Sequence, residues 1–208
     1  MKRLPAEAQG ETRPAAHPRT VSAECFASRA KPRRTTLSVK VIKYCPDCGT
    51  ALELREFGQR QRAFCPQCHH IHYVQLKVGA GALIERDGSL LLLQRTQTPF
   101  LGCWNLPAGY VEADESPLEA VVRETYEETG LRVEPKGLVD VYFFADDPRG
   151  NGILIVYECC PVEGELRASQ EAVNPTFFAV EDIPENLAGG GHNQAICVWK
   201  KRSRKQCR

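Results

Sequence analysis

The stretch GYVEADESPLEAVVRETYEETGL, residues Gly109 to Leu131, decides how the rest of the chain is read. It opens as an acid-bearing turn and continues as one helix. Ser116 suits an N-cap, Pro117 the first helical position and Glu119 the third, which completes a capping box. Gly130 supplies the stop, so a helix is predicted up to Thr129. On a helical wheel Leu118, Val121, Val122, Thr125 and Thr129 share a packing sector about 100° wide. Glu124, Glu127 and Glu128 fill another sector opposite it. Acids three and four residues apart repel and raise one another's pKa values unless a cation sits among them. A hard divalent metal with oxygen ligands is the simplest reason to keep them together. A solvated acidic face is the other reading of the same charges.

The chain around this helix is divided by charge. Residues 1–40 carry nine Lys/Arg against three Glu, a net +6, and residues 200–208 carry six Lys/Arg and no acid, again +6. Residues 41–199 hold 12 basic and 23 acidic residues, a net −11. An acidic centre with basic ends does not suit a dedicated nucleic-acid domain, whose fold itself should be basic. At 208 residues, one main domain with a small appendage is expected. No apolar run approaches the roughly 20 residues of a membrane-spanning helix. Residues 1–40 hold Pro5, Pro14, Pro18 and Pro32 and no amphipathic period, and read as a flexible basic leader. Their Arg, Ser and Ala content resembles a transit peptide, but the early acids Glu7 and Glu11 argue against one. A cytoplasmic location is expected, with residues 201–208 a basic tail.

Ten cysteines are present, and Cys25, Cys103, Cys159, Cys160, Cys197 and Cys207 show no framework spacing. The other four form Cys45-x2-Cys48 and Cys65-x2-Cys68, separated by 16 residues. Paired knuckles of this kind predict a four-thiolate zinc site, structural because four cysteines leave no open position. Residues 41–73 are therefore read as a zinc ribbon, with His69, His70 and His72 as polar neighbours of the second knuckle. Next, Val74–Ile84 and Leu90–Leu93 flank Asp87-Gly88 and predict a β-hairpin. The small residues 79–82 point to close strand packing. Arg95 ends the second strand, where it either meets a phosphate or faces solvent. Strands are expected over Gly137–Asp146, Ile153–Cys160 and Thr176–Val180. A last helix over His192–Lys200 follows Gly189-Gly190-Gly191, which reads as a flexible connection.

The spacing Gly109, five residues, Glu115, seven residues, Arg123-Glu124-Thr125-Tyr126-Glu127-Glu128-Thr129-Gly130-Leu131 matches the Nudix box, G-x5-E-x7-R-E-U-x-E-E-x-G-U with U apolar. The chain resembles Nudix hydrolases over residues 74–200. Thr125 departs from the usual aliphatic residue, and Asp114 stands where relatives often have Gly. The resemblance implies an α+β fold, a Nudix α/β/α sandwich with a mixed sheet, here preceded by the ribbon. It implies Mg2+ or Mn2+ on Glu124, Glu127, Glu128 and the Gly109 carbonyl, and an Arg123–Glu115 pair orienting the ligand helix. The general base is then a box glutamate or Glu171, which otherwise is an exposed loop acid. Tyr142, Phe143 and Phe144 either stack on substrate or belong to the core.

Ribbon plus box is similar to the zinc-ribbon subgroup that hydrolyses NADH, FAD or ADP-ribose. The SQPWPFPxS signature of the NADH group and the coenzyme A signature are absent, and Pro148 lies 17 residues past Leu131, near where ADP-ribose enzymes carry a proline. The expected activity is hydrolysis of the diphosphate in a nucleoside diphosphate derivative, ADP-ribose or FAD foremost. Alternatives are pyrophosphohydrolysis of damaged nucleoside triphosphates and a non-catalytic nucleotide- or nucleic-acid-binding module. A nucleotide partner and a homodimer are expected, with neither membrane nor nucleic acid.

Overall fold

Two cysteine knuckles begin the part of the chain that the computed structural model describes, residues 42–206. The leader read over 1–40 and the last two residues of the basic tail lie outside the described residues. In each knuckle the first cysteine's carbonyl accepts from the N–H four residues on: Gly49 to Cys45 and His69 to Cys65, both 2.9 Å. Both residues take positive φ, 72° at Gly49 and 58° at His69. The first turn uses glycine for this conformation, and the second places a histidine in it. Between and after the knuckles run β1 (Glu53–Phe57), β2 (Arg60–Phe64) and β3 (Ile71–His72), a three-stranded antiparallel meander.

The larger body follows with β4 (Lys77–Leu83), β5 (Glu85–Arg86), β6 (Ser89–Arg95), β7 (Trp104–Asn105) and β8 (Ala108–Tyr110). Helix α1 (Pro117–Thr129) then leads to β9 (Arg132–Phe144), β10 (Gly152–Glu163), β11 (Ala172–Ala179) and α2 (His192–Gln206). One mixed sheet has the order β8-β4-β10-β9, with β4 and β10 parallel and the outer pairs antiparallel. In a second sheet β6 pairs with β11, β5 and β7, all antiparallel.

The Asp87-Gly88 turn is present, with φ of 51° and 74°, as a two-residue primed turn requires. The hairpin it closes is shorter than expected: only Glu85–Leu90 and Arg86–Ser89 pair. At Leu83 the earlier strand leaves for the other sheet, where β8 and β10 flank it on both sides. Its small residues serve that packing, since a Cβ on Gly81 would stand 3.2 Å from the Ala108 Cβ.

Leu90 to Leu93 are all fully buried because both faces of β6 are covered. Leu90 and Leu92 join Tyr142, Phe144, Val156, Ile196 and Trp199 in a core beneath α2. Leu91 joins Ala80, Ala82, Ala120, Val121 and Val133 beneath α1. Each such leucine contributes about 1.5–3 kcal/mol relative to exposure. The buried sector of α1 is rotated from the expected one. Leu118 is half exposed, while Ala120 and Glu128 are buried, because the small Ala80 and Ala82 let the helix approach on that side. Helix α2 runs beyond Lys200 to Gln206, so the first part of the basic tail forms its last turns. Cations suit that end of the helix dipole. Among the described residues no helix is long and apolar enough to cross a membrane.

Candidate active site

Both halves of the capping box at α1 are formed. The Glu119 N–H donates to Ser116 Oγ at 3.3 Å, and the Ser116 N–H donates to Glu119 Oε2 at 2.8 Å. Gly130 closes the helix at φ 74°, donating to the Tyr126 carbonyl. Helix length and phase are thereby fixed at both ends, which aims the acids of the last two turns. Those acids sit at the negative end of the helix dipole with no basic residue in the last turn, so the helix itself disfavours their charge.

Arg123 is the local counterweight. Its Nε and Nη2 grip the two oxygens of Glu115 at 3.0 and 2.5 Å. Nη1 reaches Glu124 at 2.9 Å and Glu127 at 3.2 Å, and Nη2 also donates to the Tyr110 carbonyl at 3.1 Å. One guanidinium thus ties the entering loop, β8 and two box acids together. Hydrogen bonds from Arg123 and from the Glu112 N–H hold the Glu115 carboxyl down at about 2.

The three box glutamates occupy different environments. Glu128 is buried and accepts from the Ala108 N–H at 2.9 Å. Burial pushes its carboxyl up to about 8, against the Ala108 hydrogen bond and with help from the Glu124 charge. Burial also raises Glu124, while Arg123 works the other way. Glu127 is more than half exposed and leans on Arg123 at the helix edge. A Cβ on Gly109 would run into the Glu124 carboxylate, so any side chain there would displace that acid.

Glu124 and Glu128 face a cavity of about 240 Å³ that also takes in Gly109, Arg95 and Glu171. The sequence therefore anticipated five of its lining residues. Glu171 arrives beside Arg95 because β11 pairs there with β6 in the register Ala172–Arg95, and its carbonyl accepts from the Thr96 N–H at 3.1 Å. The Arg95 charge draws the Glu128 pKa down while Glu171 raises it, so both lie within electrostatic reach of that acid. Of the three aromatics on β9, Tyr142 and Phe144 are buried, Phe143 is exposed, and Phe144 also lines the cavity.

Sequence reading missed other residues that line the cavity, Asp147, Arg149, Tyr110, Phe100 and His192 among them. Asp147 is buried and takes Arg149 Nη2 at 2.7 Å and Nε at 3.0 Å. Burial disfavours its charge, but the side-chain and backbone hydrogen bonds from Arg149 outweigh that and hold its carboxyl below the ordinary range. Arg149 and Lys77 both lie over the Tyr110 ring, at 5.7 and 5.5 Å from its centre. The three glycines ahead of α2 are a packed junction and not the expected flexible connection. A Cβ on Gly189 would meet the Asp146 carboxylate and the Phe100 ring, and one on Gly191 would lie 3.0 Å from Leu154. The Gly190 N–H donates to Asp146 at 3.0 Å. This junction delivers His192, which burial and the nearby Arg95 hold down at about 3, hence neutral. Its position directly after three glycines at a helix start was the one signal in the sequence.

Glu124 and Glu128 line the cavity together with Gly109, and Glu127 stands on the exposed helix edge. Carboxylate oxygens are hard donors of the kind a divalent cation of the magnesium type takes. The ribbon presents the opposite chemistry. Sγ atoms of Cys45, Cys48, Cys65 and Cys68 all lie within 4.8 Å of one another, with Cys45–Cys68 and Cys48–Cys65 at 3.5 Å. Tetrahedral zinc with thiolates at its usual bond length spaces sulfurs by roughly 3.8 Å, so the cluster fits one structural zinc.

A family model described as NUDIX domain matches residues 75–197, and one described as Nudix N-terminal, a zinc ribbon, matches residues 43–74. The chain is 43% identical over 114 residues to an ADP-ribose pyrophosphatase of Methanocaldococcus jannaschii, covering 54% of this chain and 68% of that protein. It is 37% identical over 143 residues to the NAD-capped RNA hydrolase NudC of Stutzerimonas stutzeri, covering 68% of this chain but only 50% of that one. A crystal structure of a NUDIX hydrolase from Nitrosomonas europaea is similar with a TM-score of 0.70 and 29% identity, covering 79% of this chain and 93% of that one.

Proposed function

The chain belongs to the Nudix family of pyrophosphohydrolases, and from that premise we propose that it hydrolyses the diphosphate of a nucleoside diphosphate derivative, with ADP-ribose the first candidate and FAD the second. The observation that carries this reading is the cavity in which Glu124 and Glu128 stand near Arg95 and Glu171. Acids for a cation and a guanidinium for a phosphate meet there in one space. Similarity to an ADP-ribose pyrophosphatase supports the choice of substrate. The missing SQPWPFPxS signature weighs against NADH.

Glu124, Glu127, Glu128 and the Gly109 carbonyl would hold Mg2+ or Mn2+. When bound, the metal supplies neutralisation of charge on phosphate oxygens and a lowered pKa for the attacking water. Arg123, gripped by Glu115, sets the rotamers of Glu124 and Glu127, so it acts on the reaction through position. Arg95, whose Nε donates to the Pro99 carbonyl at 3.1 Å, lies within electrostatic reach of Glu128 and would orient a phosphate oxygen. Glu171, which lines the same cavity, or a box glutamate would take the proton of the attacking water.

The test is a panel of ADP-ribose, FAD, NADH and nucleoside triphosphates with Mg2+ and product identification. AMP and ribose 5-phosphate from ADP-ribose are the expected products. Release of pyrophosphate from triphosphates alone would replace this reading with nucleotide sanitation. No turnover of any member, with tight nucleotide binding, would replace it with a binding module.

A further inference from the structure

We propose that His192 is a specificity residue that hydrogen-bonds an uncharged polar group of the substrate, a sugar hydroxyl or a nucleobase edge, held beside the diphosphate. The proposal rests on the nucleotide pyrophosphatase reading of the same cavity. His192 is only 9% exposed, lines the cavity, and its Nδ1 is fully buried without a hydrogen-bond partner. A buried imidazole nitrogen left unpaired costs stability that an apolar residue of similar shape would not. The fold nevertheless delivers this ring on a tightly packed glycine junction. Gly190 and Gly191 take φ of 67° and 91°, and Gly191 is pressed against Leu154 and Tyr142.

The chemistry of the missing partner follows from the surroundings. Phe144 and Leu154 line the same cavity and offer no polar group of their own, and Asp147 and Arg149, which also line it, are hydrogen-bonded to each other. The positive charge felt by the ring comes from Arg95, which also acts on Glu128. Arg95 therefore bridges, electrostatically, the acid end and the histidine end of the cavity. Phosphate is already served by that guanidinium and by the metal site. A neutral imidazole has one donor and one acceptor, which matches a hydroxyl or the edge of a base and gives a second anion nothing.

The full-length chain with Mg2+ and ADP-ribose provides the kinetic test. For His192→Phe, KM is expected to rise about tenfold with kcat held within about threefold, the pattern of lost binding shared by ground and transition states. His192→Asn, whose amide can stand near Nδ1, should recover most of that loss. An unchanged KM in a folded His192→Phe chain overturns the proposal, as does a fall in kcat alone.

A second readout does not depend on turnover. In the 15N-histidine-labelled wild-type chain, AMP and ribose 5-phosphate are titrated separately, and the His192 ring nitrogens are followed by NMR. Movement with AMP assigns the base side, and movement with ribose 5-phosphate assigns the distal sugar. No movement with either overturns the proposal even if His192→Phe fails to fold. Absence of ADP-ribose hydrolysis by the wild-type chain, with the His192 nitrogens still responding to AMP, would overturn the substrate reading and leave this one standing.

Discussion

The ribbon and the ligand helix both gather anionic groups, four thiols in one case and three glutamates in the other, and they are supported in opposite ways. Within residues 42–73 the only buried hydrophobic residues are Cys45, Ala63, Phe64 and Cys65. Two of those four are thiols of the cluster itself, so the ribbon's interior and its metal site are nearly the same thing. Phe64 meets Phe57 in a tilted ring contact at 5.8 Å and lies under the Arg55 guanidinium at 4.1 Å, so its cover is one aromatic ring and one charged side chain. Helix α1 is backed by Ala80, Ala82, Leu91 and Val133, and on that support it holds Glu128 buried against the Ala108 N–H and Glu127 on its exposed edge. In one region the ion would make the fold; in the other the fold makes a place for the ion.

The largest expected effect breaks the first half of that contrast. Stripping zinc with a strong chelator should unfold residues 43–74, since zinc binding in such units is worth on the order of 10 kcal/mol. Hydrogen exchange should show lost protection in β1 to β3 and retained protection in β4, β10 and α1. Ribbon amides that stay protected without metal would refute the contrast.

Next is Glu127→Gln. Its side chain is more than half exposed and bound only at the helix edge, so the melting temperature should stay within a few degrees. Turnover should fall at least about 100-fold, the scale seen when metal-site partners are lost. A large fall in stability would show that this acid belongs to the fold after all.

A smaller effect concerns acid. The folded Glu115 pKa of about 2 lies below its ordinary 4.5. The folded state therefore binds fewer protons there, so the Arg123–Glu115 contribution is full above the ordinary value and is lost as pH falls toward 2. Glu115→Gln should flatten this part of the stability profile between pH 5 and about 2, measured by denaturant titration.

The smallest effect is a gain. Thr125 is fully buried against the α1 core and its hydroxyl has no hydrogen-bond partner. Thr125→Val should stabilise the chain by about 1 kcal/mol, by removing a desolvated hydroxyl. Calorimetry would check it, and unchanged turnover would confirm that this residue lies on the packing side.

Much of this was legible before any coordinates. Ser116, Pro117, Glu119 and Gly130 marked the helix ends, and both caps formed as read. The knuckle cysteines, three residues apart within each pair, met as one cluster. Less legible was the partner of β4. An apolar run beside an Asp-Gly turn reads as half of a hairpin, but pairing on both edges with β8 and β10 outweighs the single hairpin ladder. Strand lengths were also underread, because Pro135 in β9 and Pro161 in β10 look like breaks. β9 lies at the sheet edge, where a missing N–H is tolerated, and Pro161 sits beside a register irregularity.

The sequence by itself determined what depends on spacing along one element: the capped helix, the phase of Glu124, Glu127 and Glu128, and the two thiol pairs. These follow from helix geometry and from turns a few residues long. Only the tertiary structure decided which of those acids is buried, which glycine the Glu124 carboxylate rests on, and what else lines the cavity. Asp147, Arg149 and His192 come from a loop between strands and from the start of the last helix. Their meeting with α1 requires pairings between distant strands, and no local pattern records such pairings because their free energy appears only when the sheets form.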